Sequence, residues 1–150
     1  MKVLDFGIVW TRSDPADPSP FHTREDAILG TPAFVAPEQA IGKEVDARAD
    51  LYATGCVAYW LLTGQLVFDA RTIVELLVQH AGTPPAPPST RTELPIPRAL
   101  DELVLSCLAK DPVQRPQSAG ELSRRLAEIE CAREWDQDRA REWWTLHGLG

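Results

Sequence analysis

"DARADLYATGCVAYWLLTG", Asp46–Gly64, is the stretch on which the fold turns. Asp46 has the short acceptor side chain of an N-cap, and Gly64 suits the left-handed position that stops a helix. Between them Leu51, Val57, Ala58, Tyr59, Trp60, Leu61 and Leu62 leave little polar face. A helix over Ala47–Thr63 that is apolar on most sides belongs in the middle of a core, so this is read as the central helix.

Downstream the pattern stays helical. Asp69 or Thr72 starts a second helix, on which Ile73, Leu76, Leu77 and His80 share one face at i, i+3, i+4 and i+7. "TPPAPPSTRTELPIP", Thr83–Pro97, is a proline-rich linker of extended character. A third helix carries Leu100, Leu103, Val104, Cys107 and Leu108 on one stripe, and "KDPVQRP" breaks it. Ser118 with Glu121 forms a capping box for a fourth helix, whose buried face is expected at Leu122, Leu126 and Ile129. "REWDQDRAREWW" then extends that helix or forms a charged, tryptophan-bearing tail.

Upstream, "LDFG" at Leu4–Gly7 reads as a strand end and a turn. Thr11–Asp26 contains Pro15, Pro18 and Pro20 and is a loop, because proline lacks a donor and restricts its neighbour. "GTPAFVAPE", Gly30–Glu38, follows, with one helical turn expected at Pro37–Ala40. The whole chain has 150 residues, 44% hydrophobic and 25% charged, which fits one globular domain. Its formal charge of −7 argues against a non-specific grip on nucleic acid or an anionic membrane. No apolar run is long enough to span a bilayer, and Met1–Trp10 lacks the apolar core of a signal peptide. Cys56, Cys107 and Cys131 fit no metal spacing, and Cys56 and Cys107 sit in apolar runs as core residues. A reducing, cytoplasmic setting is expected.

Four phrases occur in order: "KVLDFG", "GTPAFVAPE", "DARADLYATGCVAYWLLTG" and "CLAKDPVQRP". In this register the chain resembles the later part of the helical C-terminal lobe of eukaryotic-like serine/threonine protein kinases, in the style of the bacterial members. The resemblance runs from about Lys2 to Ile129. It implies a mainly α fold, a partial kinase C-terminal lobe at residues 1–130 and a tail at 131–150. Within the lobe it implies an activation segment at 5–38 and a helical subdomain at 46–130.

The resemblance also implies roles. Asp5 corresponds to the magnesium ligand of the D-F-G motif, a hard oxygen donor suited to that ion, with Phe6 packing and Gly7 allowing the backbone to flip. Asp5, Phe6 and Gly7 together are the nucleotide-side candidates. Thr23, followed by Arg24, lies near the middle of the activation segment, where a phosphate could be read by a basic cluster. Gly30, Thr31 and Pro32 open the substrate platform, and Thr31 matches the threonine that marks serine/threonine preference. Phe34 stands where the family commonly has tyrosine, so a ring is kept and a hydroxyl lost. Glu38 and Arg115 match the family's buried ion pair, for which arginine's planar fork is suited. Asp50 matches the aspartate that holds the catalytic-loop backbone.

Several parts that phosphoryl transfer requires do not occur in this sequence. There is no G-x-G-x-x-G, no lysine with its helix glutamate, and no H-R-D-x-x-x-x-N catalytic loop. His22, His80 and His147 fit no pattern that replaces the base and are expected as surface or packing residues. The expectation is therefore a kinase segment that is inactive alone. ATP and magnesium belong to a complete domain and are not expected to bind these residues alone. Open apolar surface on the central helix and marginal stability are also expected. The alternatives are a non-catalytic, pseudokinase-like module that binds protein partners, and a segment complemented by a separate chain supplying the missing lobe.

Overall fold

The computed structural model describes residues 32–130 and 137–147. The chain divides into two compact units, Met1–Pro32 and Ala33–Gly150, and all described residues except Pro32 fall in the second. The described residues are mainly helical and contain no strand. The helices are α1 (Pro37–Ala40), α2 (Arg48–Thr63), α3 (Ile73–Gly82), α4 (Arg98–Cys107), α5 (Ala119–Ala127) and α6 (Gln137–His147).

Local chemistry sets their ends. Asp46 accepts the Arg48 N–H at 2.8 Å, while the first regular turn of α2 begins two residues later than the aspartate. Gly64 ends α2 at φ 68°, donating its N–H to the Trp60 carbonyl at 2.7 Å. That backbone is strained for residues with a Cβ, which is why glycine stands there. Of the two starts open for α3, Thr72 is used, its hydroxyl accepting from the Glu75 N–H at 3.1 Å. Ser118 caps α5 in the same way through Glu121. In both caps the glutamate reaches one residue further back than in a capping box, to the N–H of Arg71 and of Gln117.

Packing is pairwise: α1 lies on α3, α2 on α4, and α4 on α5. The core gathers Ala36, Ala49, Tyr52, Cys56, Tyr59, Val67, Phe68, Val104 and Leu108. Gly55 sets how closely α2 and α4 approach. A Cβ there would lie 2.7 Å from the Cys107 Cβ, closer than carbon atoms tolerate, and in a tight contact of 3.2 Å with Leu108 Cδ2. The proline-rich linker is pinned to α4, because Asp101 accepts both the N–H and the hydroxyl of Ser89 at 2.9 Å.

The open apolar surface expected on the central helix is present, whereas the buried faces expected on α5 and α3 are each cut back by one residue. The central helix is covered on one face only: Ala49, Tyr52, Cys56 and Tyr59 are buried, whereas Val57, Trp60 and Leu61 are open, Leu61 being 71% exposed. Leu126 lies outside the buried face of α5, with Ile129 buried and Leu122 half-buried. The fourth helix does not run on into the charged stretch: α5 stops at Ala127, and α6 is a separate element. On α3, Ile73 is also exposed, while Leu76 and Leu77 are half-buried and His80 is fully buried.

Candidate functional site

The segment from Pro32 to Ala40 reaches the core through small and rigid residues. A single 3-10 turn, Pro32–Phe34, leads into α1. Ala33, Ala36 and Pro37 are buried, and the half-buried Phe34 ring packs on the core. Proline at the first position of α1 costs no hydrogen bond, since that N–H has no partner in a helix. Gln39 turns back to accept the Ala36 N–H at 2.9 Å. The segment is thereby shaped to present Glu38 inward.

Opposite it, Asp111 caps the turn Pro112–Gln114 through the Val113 N–H, and Arg115 leaves that turn in extended geometry. Glu38 and Arg115 are 77 positions apart and meet fork to fork, with two N–H···O bonds of 2.7 Å. Both are buried, Arg115 at 3% exposure and Glu38 at 6%. The remaining guanidinium protons donate to the carbonyls of Ala109 at 2.8 Å, Arg48 at 2.9 Å and Lys110 at 3.2 Å. All five donors of the arginine are used, and its carbon lies 5.0 Å from the Tyr52 ring centroid. One side chain therefore ties α1, the start of α2 and the turn after α4 together.

Burial pushes the Glu38 carboxyl up, but the hydrogen bonds and charge of Arg115 outweigh it and hold the group below the usual carboxylate value. At the surface beside this knot, the Arg48 guanidinium brings Asp46 down to about 2. Arg48 also donates to Gln117 at 3.1 Å, which extends the fastening to the start of α5.

Asp50 stands in the first turn of α2 on its exposed side. Its carboxylate makes no hydrogen bond to any described residue, and its carbonyl accepts from the Thr54 hydroxyl at 2.8 Å. Asp50, Thr54, Val57 and Leu61 form one uncovered stripe. Asp5, Phe6, Gly7, Thr23, Gly30 and Thr31 lie outside the described residues. The described residues contain no group of histidine, cysteine, aspartate and glutamate side chains that could hold a metal ion. None of their helices is long and apolar enough to cross a membrane. Cys56 and Cys107 are free and buried, and burial pushes the Cys56 thiol up to about 12, so neither is poised as a nucleophile.

A second polar cluster lies close by. The Tyr52 hydroxyl is 2.9 Å from His80 Nδ1, and Lys110 Nζ donates to the His80 carbonyl at 2.8 Å. The available signal was His80 itself, a polar ring on the inward face of an apolar helix, which demands a buried partner. Nothing in the sequence names that partner, because Tyr52 and Lys110 come from distant elements.

Comparison with known proteins agrees with this geometry. Residues 1–126 match the family described as "Protein kinase domain". The chain is 39% identical over 134 residues to the serine/threonine-protein kinase pkn3 of Myxococcus xanthus, covering 89% of this chain and 24% of that protein. It is 40% identical over 129 residues to the serine/threonine-protein kinase PknB of Mycobacterium tuberculosis, covering 86% of this chain and 20% of that protein. It is 45% identical over 115 residues to the serine/threonine-protein kinase Pkn1 of Myxococcus xanthus, covering 77% and 16% respectively. The chain thus spans between 16% and 24% of the length of these relatives. With a buried Glu38–Arg115 knot inside a match over residues 1–126, the chain belongs to the protein kinase domain family.

Proposed function

We propose that this chain is the substrate-platform part of a serine/threonine kinase C-terminal lobe, beginning just before the D-F-G motif. In this reading residues 5–38 are the activation segment, 46–130 the helical support and 131–150 a tail. The reaction is ATP-dependent phosphoryl transfer to serine or threonine of a protein substrate, in a cytoplasmic setting. Glu38 and Arg115 hold the platform, with Gly30, Thr31 and Pro32 along its substrate side and Thr23 as its phosphorylation point. Asp5 carries magnesium and Asp50 receives the catalytic loop. The observation that carries this reading is the fork-to-fork pair, which fastens the segment around Glu38 to the "KDPVQRP" turn across 77 positions.

The 150 residues contain no glycine-rich loop, nucleotide lysine or catalytic loop, so they perform no phosphoryl transfer by themselves. Their chemistry is positional: they set the height and rigidity of the surface on which a peptide lies. The test joins the chain, from Asp5 onward, to the preceding part of the PknB kinase domain. The joined protein should phosphorylate a generic protein substrate, Asp5→Asn should abolish the activity, and the unjoined chain should show none. Transfer by the chain alone, or a folded fusion indifferent to Asp5→Asn, would overturn the reading.

One observation favours a second reading, a non-catalytic module that binds protein partners. The outer face of α3 carries Ile73, Val74 and Val78 in the open, Val74 being 72% exposed. A folded native chain of this length that captures a protein through α3, and loses it on Val74→Asp, would select this reading over the first.

A further inference from the structure

Tyr52 and Lys110 touch the arginine knot through a ring face and a backbone carbonyl, but their polar side-chain atoms turn the other way, toward His80. His80 is the one fully buried side chain of α3. Its ring stands edge-on to Tyr52 at 5.7 Å and to Phe68 at 5.0 Å. Lys110 Nζ sits 4.6 Å from the Phe68 centroid and donates to the His80 carbonyl at 2.8 Å and the Gln79 carbonyl at 3.4 Å. It therefore caps the C-terminal end of α3 from another element, the side of a helix that favours a cation. The same ammonium is 3.4 Å from the Tyr52 oxygen.

Lysine only donates, so the Tyr52 oxygen accepts from Lys110, and Tyr52 and His80 Nδ1 share one hydrogen across 2.9 Å. Nε2 is buried without a hydrogen-bond partner. An added proton would place a second positive charge in a buried site beside the ammonium of Lys110. The Ala33 backbone favours the charged ring, but burial and the charge of Lys110 outweigh it, and the surrounding side chains add nothing on its side. Glu38 of α1 is committed to Arg115, Cys56 of α2 is a neutral thiol, and Asp111 is committed to the Val113 N–H. Asp69 is exposed.

We propose that Tyr52, His80 and Lys110 form a proton-operated latch, which holds the C-terminal end of α3 while His80 is neutral and releases it when His80 takes up a proton. The helix that opens is the one packed on α1, so the latch sits beside the platform without belonging to the ion pair that holds it. Burial, and then the charge of Lys110, bring His80 from 6.5 down to about 4. A base depressed in the closed state makes opening easier as pH falls from 6.5 toward 4, by about tenfold per pH unit within that window.

The test is amide hydrogen exchange of the 150-residue chain at pH 7.5 and 5.5, corrected for intrinsic exchange. Protection of the α3 amides should fall about tenfold at the lower pH, while α4 keeps its protection. His80→Gln, which retains a hydrogen-bonding amide but cannot titrate, should remove that difference. Equal loss in α3 and α4, no loss in α3, or a loss that persists in His80→Gln would overturn the latch. Should His80→Gln fail to fold, the unaltered chain decides by nuclear magnetic resonance. A His80 ring still neutral at pH 5.5 supports the latch, and one titrating near 6.5 overturns it.

Discussion

The two faces of α2 both carry large apolar side chains and are opposite in circumstance. Its inner face, Ala49, Tyr52, Cys56 and Tyr59, is closed by α4, the 67–68 segment and the arginine knot. Its outer face, Val57, Trp60 and Leu61, is open, and Asp50 lies on the same side. The large apolar side chains alone cannot separate the faces. What separates them is whether a partner element stands opposite, and the described residues supply one for the inner face alone. An apolar face without a cover favours association, since removing it from water contributes about 25 cal/mol per Å².

The contrast can be broken most forcefully at the knot. Arg115→Ala leaves the Glu38 carboxylate buried and unpaired, and a loss of about 3–5 kcal/mol is expected in a denaturant titration. Arg115→Lys should recover only part of it, because a single ammonium cannot serve both carboxylate oxygens and three carbonyls. The same pair carries an acid signature. Glu38 is held below its usual 4.5, so its contribution is present above that value and disappears as pH falls through the lowered one. Glu38→Gln should flatten stability against pH in that acid range, as followed by circular dichroism.

A smaller effect is expected where α2 meets α4. Gly55→Ala places a methyl 2.7 Å from the Cys107 Cβ. Backbone shift or overpacking should cost about 1–3 kcal/mol, read as a lowered denaturation midpoint. Gly55→Ala combined with Cys107→Gly should recover stability if the clash is the cause. A cost that survives the double change would point to helix propensity instead.

The outer face sharpens the contrast by the smallness of its response. Leu61→Ser should change the stability of this chain by no more than about 0.5 kcal/mol, since it is already in water. It should nevertheless reduce self-association in sedimentation velocity. In the fusion with the preceding part of a kinase domain, the same substitution should become destabilising. Last in size, Asp50→Ala should leave the midpoint of the isolated chain unchanged yet lower activity in the fusion. A stability loss from Asp50→Ala in the isolated chain would show that the carboxylate already has a partner there.

Much of the helical order was legible along the chain because its signals are local. Gly64 ends α2 and Ser118 starts α5 through contacts made within four residues. The stripe Leu103, Val104, Cys107 and Leu108 is likewise a periodic pattern, and all four are buried. Leu126 shows the limit of periodicity, since its helix face is assigned correctly only when the neighbour's extent is known. His80 shows another: its place on the inward face could be read, but its bond to Tyr52 joins residues 28 positions apart.

By itself, the sequence determined the stop of α2 at Gly64, the cap of α5 at Ser118, the proline-rich linker and the order of motifs that places the chain among protein kinases. Those depend on backbone geometry and short-range hydrogen bonds, which a few neighbouring residues specify. Only the tertiary structure decided which face of α2 is covered, that Gly55 lets α4 approach, and that all five donors of Arg115 are occupied. Those depend on surfaces brought together from distant positions, where burial raises the cost of every unpaired group and so selects the partners.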